Sequence, residues 1–97
     1  MKMRYGLSNN IYDEIKKIIE KYNQYQFKVF GSRARGDFKY NSDIDIAVIG
    51  DIEKDDEFKI LNDFDLLEIP YTIDVVFTTK TQKKELLKSI EKEGVSF

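Results

Sequence analysis

The chain has 97 residues, 41% hydrophobic and 35% charged, with a net charge of −2. That suits one soluble globular domain covering residues 1–97, and the mildly acidic balance argues against general binding to nucleic-acid backbones. With no Cys and no His, disulfides, thiol chemistry, imidazole bases and histidine metal sites are excluded, so carboxylates, hydroxyls, Lys and Arg must carry any chemistry.

The opening MKMRYGLSNN has basic residues but no apolar stretch of the kind a secretory leader needs. No apolar run approaches the length of a membrane span. Together with the missing cysteines, these features predict a cytoplasmic protein.

Asn10 to Tyr22 reads as an amphipathic helix, with Ile11, Ile15, Ile18, Ile19 and Tyr22 on one face and Ser8, Asn9 or Asn10 as N-cap. Gln26 to Phe30 is a short strand ended by Gly31, and Asp43 to Ile49 a second strand closed by Gly50-Asp51. Lys54 to Leu67 follows as a helix with Phe58, Leu61, Phe64 and Leu67 inward. Thr72 to Phe77 is a third strand, starting just after Pro70. Thr79 and Gln82 form a capping-box signature for a last helix that uses Leu86, Leu87 and Ile90. Phe27, Phe30, Phe58, Phe64 and Phe77 are expected in the core. The order is α-β-β-α-β-α, an α/β (α+β) arrangement in which a small mixed β-sheet is flanked by helices.

One segment stands out: Gly31 to Asp45, GSRARGDFKYNSDID. Its Gly-Ser turn follows an apolar strand. Gly31 lets backbone approach a ligand closely, and Ser32 offers a hydroxyl and a backbone N–H to phosphate oxygens. Arg33 and Arg35 follow directly, and Arg33 is the cationic candidate for a phosphate contact. Asp43 and Asp45 lie two residues apart and so share one strand face. Asp74 sits inside the apolar run of the third strand.

The helix between the second and third strands is the crossover that a parallel pair needs. Parallel pairing would set Asp74 beside Asp45, and antiparallel pairing of the first two strands would bring Gly31-Ser32 to the same rim. Three carboxylates in one place repel each other unless a cation lies between them. Oxygen ligands alone favour Mg²⁺, with Mn²⁺ possible, and two such ions could serve a triphosphate. Asp43, Asp45 and Asp74 are therefore the expected metal-binding and catalytic residues.

Gly31-Ser32, ten intervening residues, then Asp43-Ile44-Asp45 resembles the signature of the DNA polymerase beta-like nucleotidyltransferase superfamily. GSRARG followed by SDIDIAV is similar to its minimal branch, the MNT-type proteins. The resemblance runs from the first helix through Asp74. It implies an Mg²⁺-dependent transfer of a nucleoside monophosphate, AMP from ATP, to a hydroxyl. It further implies Gly31 and Ser32 on the phosphates and the three aspartates on the metals. Larger relatives carry an additional domain, and the short stretch after the last helix leads to the expectation of a single minimal domain here. Minimal members work as antitoxins beside a helical HEPN toxin, some by attaching AMP to its tyrosine.

Two other readings remain. One is a non-catalytic antitoxin that neutralises a HEPN partner by binding. The other is a nucleotidyltransferase for small aminoglycoside-like acceptors, with a homodimer cleft supplying the acceptor site. Tyr40 reads as an exposed loop aromatic, and Lys80, Lys83, Lys84 and Lys88 as a solvated helix face.

Overall fold

A computed structural model describes residues 5–97; residues 1–4, part of the segment read above for a leader, lie outside the described residues. Among the described residues no helix is long and apolar enough to cross a membrane. The elements run α1 (Asn9–Lys21), β1 (Gln26–Phe30), α2 (Ser32–Arg35), β2 (Ile44–Ile49), α3 (Lys54–Asp65), β3 (Ile73–Phe77), α4 (Lys84–Glu93) and β4 (Val95–Ser96). The mixed sheet flanked by helices is the expected architecture, with two additions: the one-turn helix α2 and the two-residue strand β4.

The four strands lie in the order β3-β2-β1-β4. β1 pairs antiparallel with β2 and with β4, while β2 and β3 are parallel. Alternation along each strand sends residues to two different cores. Phe27, Ile44, Ile46, Val48 and Phe77 join Ile15 and Ile18 of α1, Tyr22 at its C-cap, and Ile60 and Phe64 of α3 in the larger one. On the opposite face Phe30 and Ala47 meet Ile90 of α4, with Ile49, Val76 and Leu86 at the margin. α1 begins as expected, with the Ser8 hydroxyl accepting from the Ile11 N–H at its N-cap.

Two expectations fail. Phe58 and Leu61 point outward, 75% and 43% exposed, and the buried face of α3 is made by Ile60 and Phe64. Apolar residues occur all round this helix, so spacing alone did not single out the inward side. The Thr79/Gln82 capping box also does not form. α4 starts only at Lys84, and no side chain caps its first turn. The Thr79 hydroxyl instead donates to the Gly50 carbonyl at 3.0 Å, tying the end of β3 to the turn after β2.

Candidate functional site

The antiparallel β1–β2 pair carries the chain from Phe30 back past Asp45, its register partner. Gly31, the next residue, turns with φ 74° and ψ −156°, a conformation that is nearly exclusive to glycine. A Cβ at Gly31 would collide with the Asp45 carboxylate oxygen. The turn and the carboxylate are thus in direct apposition, leaving space only because no side chain stands between them. α2 then begins at Ser32, so the first N–H groups of this turn have no intrahelical acceptors.

In the parallel β2–β3 ladder Asp45 and Asp74 are register partners, as the crossover reasoning anticipated. Both lie on the sheet face that α4 only partly covers, at the end away from the β3–α4 connection. Asp45 is half-buried; Asp74 and Asp43 are exposed, Asp43 standing just before β2. Burial raises the Asp45 carboxyl above its ordinary value, and the negative charges of Asp74 and Asp43 push it further the same way. The charges of Arg35 and Arg33 oppose that rise.

The structure therefore brings Gly31, Ser32, Asp45 and Asp74 to one rim, with Asp43 near enough for its charge to act on Asp45. Among the described residues, however, no three acids are grouped closely enough to enclose a metal ion. The donor chemistry itself fits a hard divalent cation: the acids offer oxygen only, and a half-buried carboxylate facing two like charges is one that a cation would relieve.

Arg33 is placed elsewhere than expected. Its side chain is 2% exposed. Nη1 donates to the Tyr5 carbonyl at 2.8 Å, Nη2 to the carbonyls of Ser42 at 2.8 Å and Tyr40 at 3.3 Å, and Nε again to Ser42 at 3.2 Å. Its guanidinium carbon lies 5.0 Å from the Phe38 ring centre and 4.6 Å from that of Tyr71. The guanidinium thus pins the loop between α2 and β2 and has few donors left for a phosphate. A sequence shows an arginine after a turn but not the carbonyls that will surround it.

Arg35 is the exposed cation of the pair. Nη1 contacts Glu93 of α4 at 2.9 Å and Nε contacts Asp37 at 3.1 Å, with the side chain 43% exposed. Tyr40 is 85% exposed, the loop aromatic it was read as.

The polymerase beta nucleotidyltransferase family model matches residues 13–97. Among solved structures, a toxin-antitoxin crystallised with AMP-PNP is 22% identical with a TM-score of 0.65, covering 87% of this chain and 69% of that one. A protein from Sulfolobus solfataricus described as a candidate nucleotidyltransferase is also 22% identical, with a TM-score of 0.52, covering 99% of this chain and 88% of that one. At such identity these two similarities concern the fold. Among curated proteins, none matches the sequence.

Proposed function

This chain belongs to the polymerase beta nucleotidyltransferase family, and we propose that it transfers a nucleoside monophosphate, AMP from ATP, to a hydroxyl of a protein partner. The observation that carries this reading is the apposition of the Gly31 turn to Asp45 in register with Asp74. A backbone turn open to phosphate sits against acids able to bind a cation. In this reading Gly31 and Ser32 hold the triphosphate, and Asp43, Asp45 and Asp74 hold Mg²⁺, two ions in the full arrangement. The cation would screen the triphosphate charge. The acceptor oxygen bonds to the α-phosphorus, the bond to the bridging oxygen breaks, and pyrophosphate leaves. In this reading Asp74, the more exposed member of the strand pair, takes the hydroxyl proton.

The likeness to a toxin-antitoxin structure supports an antitoxin role; in this reading, following the family resemblance of the motif, the acceptor is a tyrosine on a helical HEPN-type toxin in the cytoplasm. The test is intact mass measurement of the co-purified partner after incubation with ATP and Mg²⁺. A gain of one AMP is expected, and Asp43→Asn with Asp45→Asn abolishes it while leaving the thermal transition cooperative. Transfer by that double variant would overturn the assignment.

The likeness to a toxin-antitoxin structure is equally compatible with a second reading, an antitoxin that neutralises by binding alone. The same double variant separates the two, because a folded protein that still neutralises fully does so without the chemistry.

A further inference from the structure

Asp45 and Asp74 are set by the sheet, since each lies inside a strand and the β2–β3 ladder makes them register partners. Asp43 lacks that restraint. It is exposed and stands one residue before β2, at the end of the loop that follows α2. Its backbone direction is the rotation between two rigid planes, the peptide group before it and the one after it. Both planes are held. The peptide N–H after Asp43, at Ile44, donates to the Thr72 carbonyl at 2.9 Å. The peptide carbonyl before Asp43, at Ser42, accepts from Arg33 twice, from Nη2 at 2.8 Å and from Nε at 3.2 Å.

Arg33 is the buried charged side chain among the described residues, and every hydrogen bond described above for it goes to a backbone carbonyl. It belongs to no ion pair among those residues. Burying a charge without a counter-ion is costly unless dipoles replace the lost water, which the carbonyls do here. An apolar side chain could fill the same space, but only a planar fork of N–H groups reaches Ser42, Tyr40 and Tyr5 together. The stacking on Tyr71 extends the link to the third strand. Tyr71 immediately precedes Thr72, whose carbonyl holds the other side of Asp43. Arg33 itself follows Ser32 directly. One side chain thus joins the phosphate turn, the loop entering Asp43 and the segment that leads into β3.

We propose that Arg33 is a positioning residue for the cation site: by fixing the Ser42–Asp43 peptide group it fixes where the Asp43 carboxylate stands relative to Asp45. The sheet places two of the acids, and the buried arginine places the third. This inference rests on the reading of Asp43 as a cation ligand. It gives Arg33 a role in the site without any contact to phosphate, and that role runs through Asp43.

The test uses Mn²⁺ as the probe, its affinity for the full chain without nucleotide being read from the paramagnetic resonance signal of the free ion. Wild type is expected to bind. Arg33→Lys keeps the charge but cannot form the fork, and should weaken Mn²⁺ binding about tenfold. Asp43→Asn should weaken it too. Adding Arg33→Lys to Asp43→Asn should cause no further loss, because the group being positioned is then already gone. An arginine that serves stability alone would lower the melting temperature in both backgrounds and leave the affinity of the folded protein unchanged. A cooperative thermal transition checks that each variant is folded. If Arg33→Lys does not fold, Tyr71→Leu takes its place in the same cycle, since it removes one face of the guanidinium's stack and none of its hydrogen bonds. Unchanged Mn²⁺ affinity in the folded variant overturns this inference alone, as does an equal further loss in the Asp43→Asn background. A wild type that binds no Mn²⁺, or binds it indifferently to Asp43→Asn, overturns the reading on which the inference rests.

Discussion

Gly31 and Asp45 define the scale at which the site is built. The turn can pass the carboxylate only in a glycine conformation, and the carboxylate is held half-buried beside two like charges. This arrangement has a measurable cost. The Asp45 carboxyl is raised in the folded protein, so folding favours its protonated form and ionisation opposes folding. In metal-free buffer at pH 7, Asp45→Asn should therefore melt at a higher temperature than wild type. The advantage should shrink as pH falls through the raised value and vanish below the ordinary one, where Asp45 is protonated in both states. Thermal denaturation between pH 7 and pH 3 measures this.

The two arginines that follow the turn make a contrasting pair. Arg33→Ala would leave three carbonyls short of a donor and a gap between Phe38 and Tyr71, a loss of about 3 kcal/mol read by urea denaturation. Arg35→Ala should change stability by under about 1 kcal/mol in the same denaturation, since its ion pairs face solvent in part. The sequence singled out Arg33 for a phosphate contact, and it is the one the structure buries. The separation of the two arginines depends on which of them the 38–42 loop folds around, a contact among residues that local spacing does not connect.

Among the elements, the α1–α3 contact has a polar staple at its edge. Tyr22 Oη donates to Asp63 at 2.6 Å, and Lys21 Nζ lies 3.0 Å from the same carboxylate oxygen. Burial alone would raise the Asp63 carboxyl, but the hydrogen bonds from Tyr22 and Lys21, with the lysine charge, outweigh it and leave it below its usual value of 3.8. A lowered folded value means that the stabilisation is complete above the unfolded value and is lost as pH falls through the folded one. Asp63→Asn should accordingly lower the melting temperature at pH 7, with the difference shrinking as pH falls through the lowered folded value. Helix α1 was legible because its isoleucines keep one period and Ser8 supplies the cap. The inward face of α3 was not, because Phe58, Leu61 and Leu66 compete with Ile60 and Phe64 for the same periodic signal. The start of α4 was not legible either, since Thr79 finds a stronger claim on its hydroxyl in the Gly50 carbonyl across the sheet.

At the scale of the whole molecule, the sheet order joins these parts. The crossover helix α3 makes β2 and β3 parallel, and the antiparallel return from β1 puts the Gly31 turn at the same rim. The sequence by itself determined the strand alternation, the Gly-Ser turn, the aspartates and their spacing, because these follow from local geometry and residue chemistry, and that pattern carried the family resemblance. Only the tertiary structure decided that Asp45 faces Asp74 in register, that Arg33 is an internal brace while Arg35 stays at the surface, and which side of α3 faces out. It also added β4, whose two residues are too few to carry a pattern and form a strand only because the β1 edge is there to pair with. The physical reason is common to all four. Each depends on groups far apart in the chain competing for one acceptor, one face or one edge, and that competition is settled by packing rather than by sequence neighbours.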